Sequence, residues 1–95
     1  MKEASAAQAR RPRGRTTKTY FVRGVQTGLI KIGKTTQSVD QRLQGLQCGS
    51  PDYLLVMKFV KEDREEELHK RFAHLRQHGE WFTPALELLE FIKSL

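Results

Sequence analysis

Apolar residues gather from Thr19 onward, and their spacing predicts the elements. Thr19-Tyr20-Phe21-Val22-Arg23 and Leu29-Ile30-Lys31-Ile32-Gly33 are short β-branched and aromatic runs separated by Gly24-Val25-Gln26-Thr27-Gly28. Two such runs around a five-residue link with two glycines predict a β-hairpin. Ser38 followed by Gln41 three residues later is a capping-box pattern. Val39, Leu43 and Leu46 then fall at i, i+4 and i+7, the stripe of a short amphipathic helix. Cys48-Gly49-Ser50-Pro51-Asp52 carries turn chemistry that ends this helix, and Tyr53 to Val60 reads as a third strand. Glu62 to Arg76 reads as a helix with Leu68, Phe72 and Leu75 on one stripe. Gly79 breaks it, and Trp81-Phe82 forms a short apolar plug. Thr83 and Pro84 suit the N-cap and first position of a last helix bearing Leu88, Leu89, Phe91, Ile92 and Leu95. The order β-β-α-β-α-α predicts an α+β fold, a three-stranded antiparallel sheet flanked by helices.

Charge divides the chain differently from hydropathy. The 95 residues carry 17 Lys+Arg against 11 Asp+Glu, a net charge of +6. Lys2, Arg10, Arg11, Arg13, Arg15 and Lys18 all precede Thr19, with Glu3 the only acid among them, so residues 1–18 hold five of the six excess charges. That stretch has no Val, Ile, Leu or aromatic residue and places Pro12 and Gly14 within its arginine cluster. Too little apolar surface is present to offset the entropy of ordering. A disordered basic arm over 1–18 is expected, with Arg10, Arg11, Arg13 and Arg15 suited to phosphate contact or simply to solubility, followed by one folded domain over 19–95.

Several classes drop out. No apolar run is long enough to span a membrane. Cys48 is the only cysteine, which removes an intrachain disulfide framework and a multi-cysteine zinc site. The first residues lack the apolar core of a secretory signal, so a cytoplasmic setting is the expectation. A folded part this small has a modest core, and a homodimer or a larger assembly would be an unsurprising supplement.

No Gly-x-Gly-x-x-Gly, Walker A or His-Glu-x-x-His motif is present. The informative polar residues are those beside apolar stripes. Arg42 lies between Val39 and Leu46, and Glu65 lies three residues before Leu68. An arginine and a carboxylate so placed form either an ion pair or part of a site. Tyr20 and Lys31, one on each hairpin strand, can project at the same end of the sheet.

Tyr20-Phe21-Val22, Lys31-Ile32-Gly33, Arg42-Leu43 and Glu65-x-x-Leu68-His69, closed by Gly79-Glu80-Trp81-Phe82, together resemble the GIY-YIG endonuclease superfamily. The likeness is to a small branch with Lys-Ile-Gly in place of Tyr-Ile-Gly, and it runs from about Tyr20 to Phe82. It implies a GIY-YIG-like nuclease domain that hydrolyses DNA, branched or flapped substrates included, with little sequence specificity of its own. Tyr20 would be general base or nucleophile-positioning group, and Arg42 the contact to the scissile phosphate. Glu65 would hold a single Mg²⁺ or Mn²⁺. Lys31 stands where the family has a second tyrosine and would contact phosphate or act on Tyr20, with Lys34 also holding phosphate. No asparagine exists in the chain, so a late family asparagine has no counterpart; His69, His74, His78 and Glu80 are the candidates to take its place, with His69 and Glu80 foremost. The competing expectation is a catalytically idle module of the same fold that binds nucleic acid or a protein, favoured by the missing tyrosine and the near-neutral folded part.

Overall fold

A computed structural model describes residues 16–95. β1 (Lys18–Gly24) and β2 (Ile30–Thr35) form the expected hairpin, with Tyr20 opposite Gly33, Phe21 opposite Ile32 and Val22 opposite Lys31. Its link closes through Gly24 N–H to Leu29 O at 3.0 Å and Gly28 N–H to Gly24 O at 2.9 Å. Gly28 has φ 76°, a left-handed angle that costs other residues about 1–2 kcal/mol. Asp52 fastens the link from outside. Its buried carboxylate accepts from Gln26 N–H at 2.9 Å, Thr27 N–H at 3.1 Å and the Thr27 hydroxyl at 3.0 Å. These bonds, led by the Gln26 amide, hold its carboxyl below the usual range despite burial.

α1 (Val39–Cys48) begins at Ser38, whose hydroxyl accepts from Gln41 N–H at 3.1 Å as the capping pattern predicts. β3 (Leu54–Val60) pairs antiparallel with the other side of β1. After it come α2 (Glu65–Arg71), a 3₁₀ turn (Ala73–Leu75), β4 (Arg76–His78), β5 (Trp81–Phe82) and α3 (Leu86–Ser94).

The α+β class is as expected, but the sheet has five strands rather than three, in the order β3-β1-β2-β5-β4. The helix expected to reach Arg76 stops at Arg71, and residues 76–78 turn back as β4. The plug Trp81-Phe82 is a strand because Lys31 and Ile30 lie opposite it across a β2–β5 ladder. That pairing joins segments fifty residues apart, which local periodicity does not encode. Leu75 still packs on the core because the 3₁₀ turn carries it round. The last helix is capped at Ala85, not Thr83. Thr83 is committed elsewhere: its N–H donates to Leu75 O at 2.8 Å and its hydroxyl accepts from Gln77.

Both faces of the sheet are covered. Phe21, Ile30, Ile32 and Phe82 pack with Leu68, Phe72, Leu88 and Ile92 on one side. Tyr20, Val22 and Leu54 pack with Val39, Leu43 and Leu46 of α1 on the other. Alternation sends successive β1 residues into opposite layers, which is why this strand is apolar on both parities. Among the described residues no helix is long and apolar enough to cross a membrane.

Thr19 is the fully buried polar residue of β1. Its hydroxyl donates to Glu62 O at 2.6 Å and accepts from Arg64 N–H at 2.7 Å, pinning β1 to the start of α2, where no capping residue of the helix itself does so. Thr19→Val should destabilise the fold by about 1–3 kcal/mol by stranding a buried donor and acceptor. Urea unfolding would read this as a lower midpoint at unchanged slope; an unaltered midpoint would show that the loop needs no such anchor.

Candidate active site

The site forms where β5 stops covering β2. β5 pairs with Ile30 and Lys31 only. At the next residue, Ile32 N–H donates to Glu80 O at 3.0 Å and Ile32 C=O accepts from His69 Nε2 at 2.8 Å. Both groups point to the same strand edge, as an antiparallel ladder requires. The β4–β5 turn, in which Gly79 takes φ 54°, and α2 are therefore drawn to one place. Glu65 lies one turn before His69 on the same helix face. Ligand atoms of Glu65, His69 and Glu80 lie within 4.8 Å of one another.

Charge within this cluster is uneven. Lys31 Nζ, on a side chain only 11% exposed, lies 2.7 Å from Glu80 Oε1 and 5.7 Å from the Trp81 ring centre. Partial burial raises the Glu65 carboxyl, and the negative Glu80 beside it raises it further. Burial also pushes Glu80 upward, but the Lys31 hydrogen bond and charge outweigh it and leave Glu80 below the usual range. Of the two carboxyls, Glu65 is therefore the one that protonates first as pH falls. His69 donates through Nε2–H to the Ile32 carbonyl, which fixes its tautomer and leaves the Nδ1 lone pair facing Arg76 Nη2 at 3.3 Å.

Tyr20 and Arg42 approach from the α1 side. Tyr20 lies across Gly33, where any Cβ would collide with the tyrosine ring and hydroxyl. Glycine is therefore what lets the buried phenol cross β2 one residue beyond Ile32. Arg42, otherwise exposed, donates from Nε to the Tyr20 hydroxyl at 3.3 Å. That bond raises the guanidinium pKa further, and the nearby Glu80 charge adds to it.

Tyr20, Lys31, Arg42, Glu65, His69 and Glu80 thus all border the short β2 segment from Lys31 to Gly33. Arg42 bonds Tyr20 rather than Glu65, so of the two readings offered by spacing the direct ion pair is not the one formed. Lys34 stands apart, 3.7 Å from Asp63, and shares an open concavity of about 710 Å³ with Thr35, Gln37 and Arg42. Arg10, Arg11, Arg13 and Arg15, assigned to the basic arm, lie outside the described residues. Cys48 is exposed at the end of α1. Sequence reasoning missed Gly33 and Thr19 as the residues that position Tyr20 and Glu65. The signal for Gly33 was an aromatic residue directly opposite a glycine in the hairpin register.

The donor set suits a hard divalent cation. Two carboxylates with oxygens within 4.8 Å of one another are a pair that a cation relieves, and oxygen ligands favour Mg²⁺ or Mn²⁺. The adjacent His69 has both ring nitrogens engaged, by the Ile32 carbonyl and by Arg76, so the two carboxylates are the ligands on offer.

The T5orf172 domain matches residues 15–94. This is a different family from GIY-YIG, so the resemblance drawn from the short motifs is overturned. Those motifs are strings of two to five positions on strands, helix faces and a turn, and one of them takes Lys31 in place of a tyrosine. The family match spans nearly the whole folded part. No curated protein and no solved structure gives a match.

Proposed function

This chain belongs to the T5orf172 domain family, a group of nuclease-like DNA-binding domains, and we propose that it is a small divalent-metal-dependent endonuclease that hydrolyses DNA phosphodiester bonds. The observation that carries this reading is the gathering of Glu65, His69 and Glu80 within 4.8 Å, beside the Tyr20–Arg42 pair. Glu65 and Glu80, with His69 adjoining, would hold Mg²⁺ or Mn²⁺. When bound, such an ion supplies Lewis-acid neutralisation of charge on the phosphate oxygens.

The chain's own groups divide the remaining work. Hydrolysis adds water across a P–O bond, leaving phosphate on one product and a protonated sugar oxygen on the other. Arg42 presents a permanent cation to the non-bridging oxygens, where charge grows in the transition state. Tyr20, its oxygen held by Arg42 Nε, keeps its own O–H to orient the attacking water. Lys31 offsets the paired carboxylates and faces the phosphate. Lys34, on the open side, holds the neighbouring phosphate. With no further reader of base sequence in residues 16–95, cutting should have little sequence preference.

Supercoiled plasmid with Mg²⁺ or Mn²⁺ should be nicked, and EDTA should slow nicking at least about a hundredfold. A second reading, an idle DNA-binding module, draws on the 2.7 Å Lys31–Glu80 bond, which already engages one of the two carboxylates. DNA binding without nicking at high protein concentration in either metal would select it.

A further inference from the structure

An open groove of about 530 Å³ beside Lys31 is walled by Leu29, Leu46, Leu54 and Trp81 and bordered by Gly45 of α1. We infer that this groove receives one unpaired nucleobase of the DNA strand, next to the phosphate held by Arg42 and Lys31. The inference rests on the nuclease reading above and adds a substrate class to it: strands with an unstacked or extrahelical nucleotide at the cutting position.

Two features favour a base over another apolar guest. First, the groove continues directly into the phosphate-facing cluster. Lys31 belongs to both, with its aliphatic stem among the apolar walls and its ammonium on Glu80. The polar concavity around Lys34 and Arg42 lies three residues further along the same strand, roughly 10 Å at the rise of a β-strand. A cationic end and an apolar, aromatic end joined through one lysine match the alternation of phosphate and base along a nucleotide chain. Second, Trp81 is only half-buried: it packs on the Tyr20–Leu54 layer and also lines the groove. A partly open indole is a stacking surface for any base, and extrusion of an unpaired base costs less than that of a paired one.

Gly45 offers a way to test the groove without disturbing the core. A Cβ there meets nothing within 4 Å, and the helix tolerates larger residues better than glycine. Gly45→Leu should fold normally and obstruct the groove. Binding is measured in EDTA by fluorescence anisotropy, on duplexes carrying one unpaired base, an abasic site at the same position, or no lesion. The native chain should prefer the unpaired base over the abasic duplex by about tenfold, and 2-aminopurine at that position should be quenched on binding. Gly45→Leu should bring the preference to unity without changing affinity for the paired duplex. Equal native affinity for base and abasic site, or an undiminished preference in Gly45→Leu, overturns the inference. The measurement excludes metal and cleavage, so its failure is separable from a failure of EDTA-sensitive nicking.

Discussion

Glu65→Gln should leave the protein folded, somewhat more stable, and unable to cut DNA at a useful rate. The loss of metal-supported nicking is expected to be about 10²–10³-fold or more, the scale seen when a principal electrostatic contact to the transition state is removed. The stability change has a definite sign. The Glu65 carboxyl is raised by burial and by Glu80, so its charged form is disfavoured in the fold relative to the unfolded chain, where a glutamate titrates near about 4.3. In EDTA this cost enters as pH rises past that value and is complete above the folded value. Glutamine does not ionise, so Glu65→Gln should melt higher than the native chain at neutral pH, with the difference closing as pH falls through the carboxylate range. Glu80→Gln should behave oppositely. Its carboxyl is held low by Lys31 against the upward push of burial, so its charge contributes stability above the unfolded value that is lost as pH falls through the folded one. Thermal scans of both variants from pH 3 to 8 check the pair. Native cutting rates in Glu65→Gln would remove Glu65 from the chemistry, and a lower melting temperature at neutral pH would contradict the charge picture.

Arg42→Ala should lower cleavage by about 10²–10³-fold while costing about 1 kcal/mol of stability, because it removes the hydrogen bond to the buried Tyr20 hydroxyl. Arg42→Lys sharpens the assignment. Lysine restores the positive charge but not a planar fork that can hold Tyr20 through Nε and offer two further nitrogens to a phosphate. Its rate should lie between those of the alanine variant and the native chain, with the deficit in kcat rather than KM. Single-turnover cleavage at saturating DNA measures this. Full activity in Arg42→Lys would reduce Arg42 to a general cation, and full activity in Arg42→Ala would exclude it from the reaction.

Much of this arrangement was legible in the sequence where short-range pattern suffices. The hairpin, the Ser38 cap, β3 and the Leu68–Phe72 and Leu88–Ile92 stripes follow from alternation, turn residues and helical spacing. β4 and β5 were not legible. Arg76-Gln77-His78 looks like the polar end of a helix and Trp81-Phe82 is two residues long, so only partnership with β2 makes them strands. The site divides the same way. Tyr20, Arg42 and Glu65 could be singled out one by one, but their meeting depends on the edge of Ile32, a residue whose side chain is pure core. The family likeness failed because short motifs were asked to stand for eighty residues of pattern.

The Thr19 hydroxyl has a consequence for how the site is readied. Its neighbour in the chain is Tyr20, and its two hydrogen bonds grip residues 62 and 64, immediately before Glu65. Phenol and carboxylate are thereby mounted on one bracket, with a single strand residue setting the spacing between them. The orientational entropy of bringing these two groups together is surrendered during folding, before any DNA arrives. A jaw fixed in this way gains little from closing, so substrate preference should depend on how readily the DNA deforms to enter it.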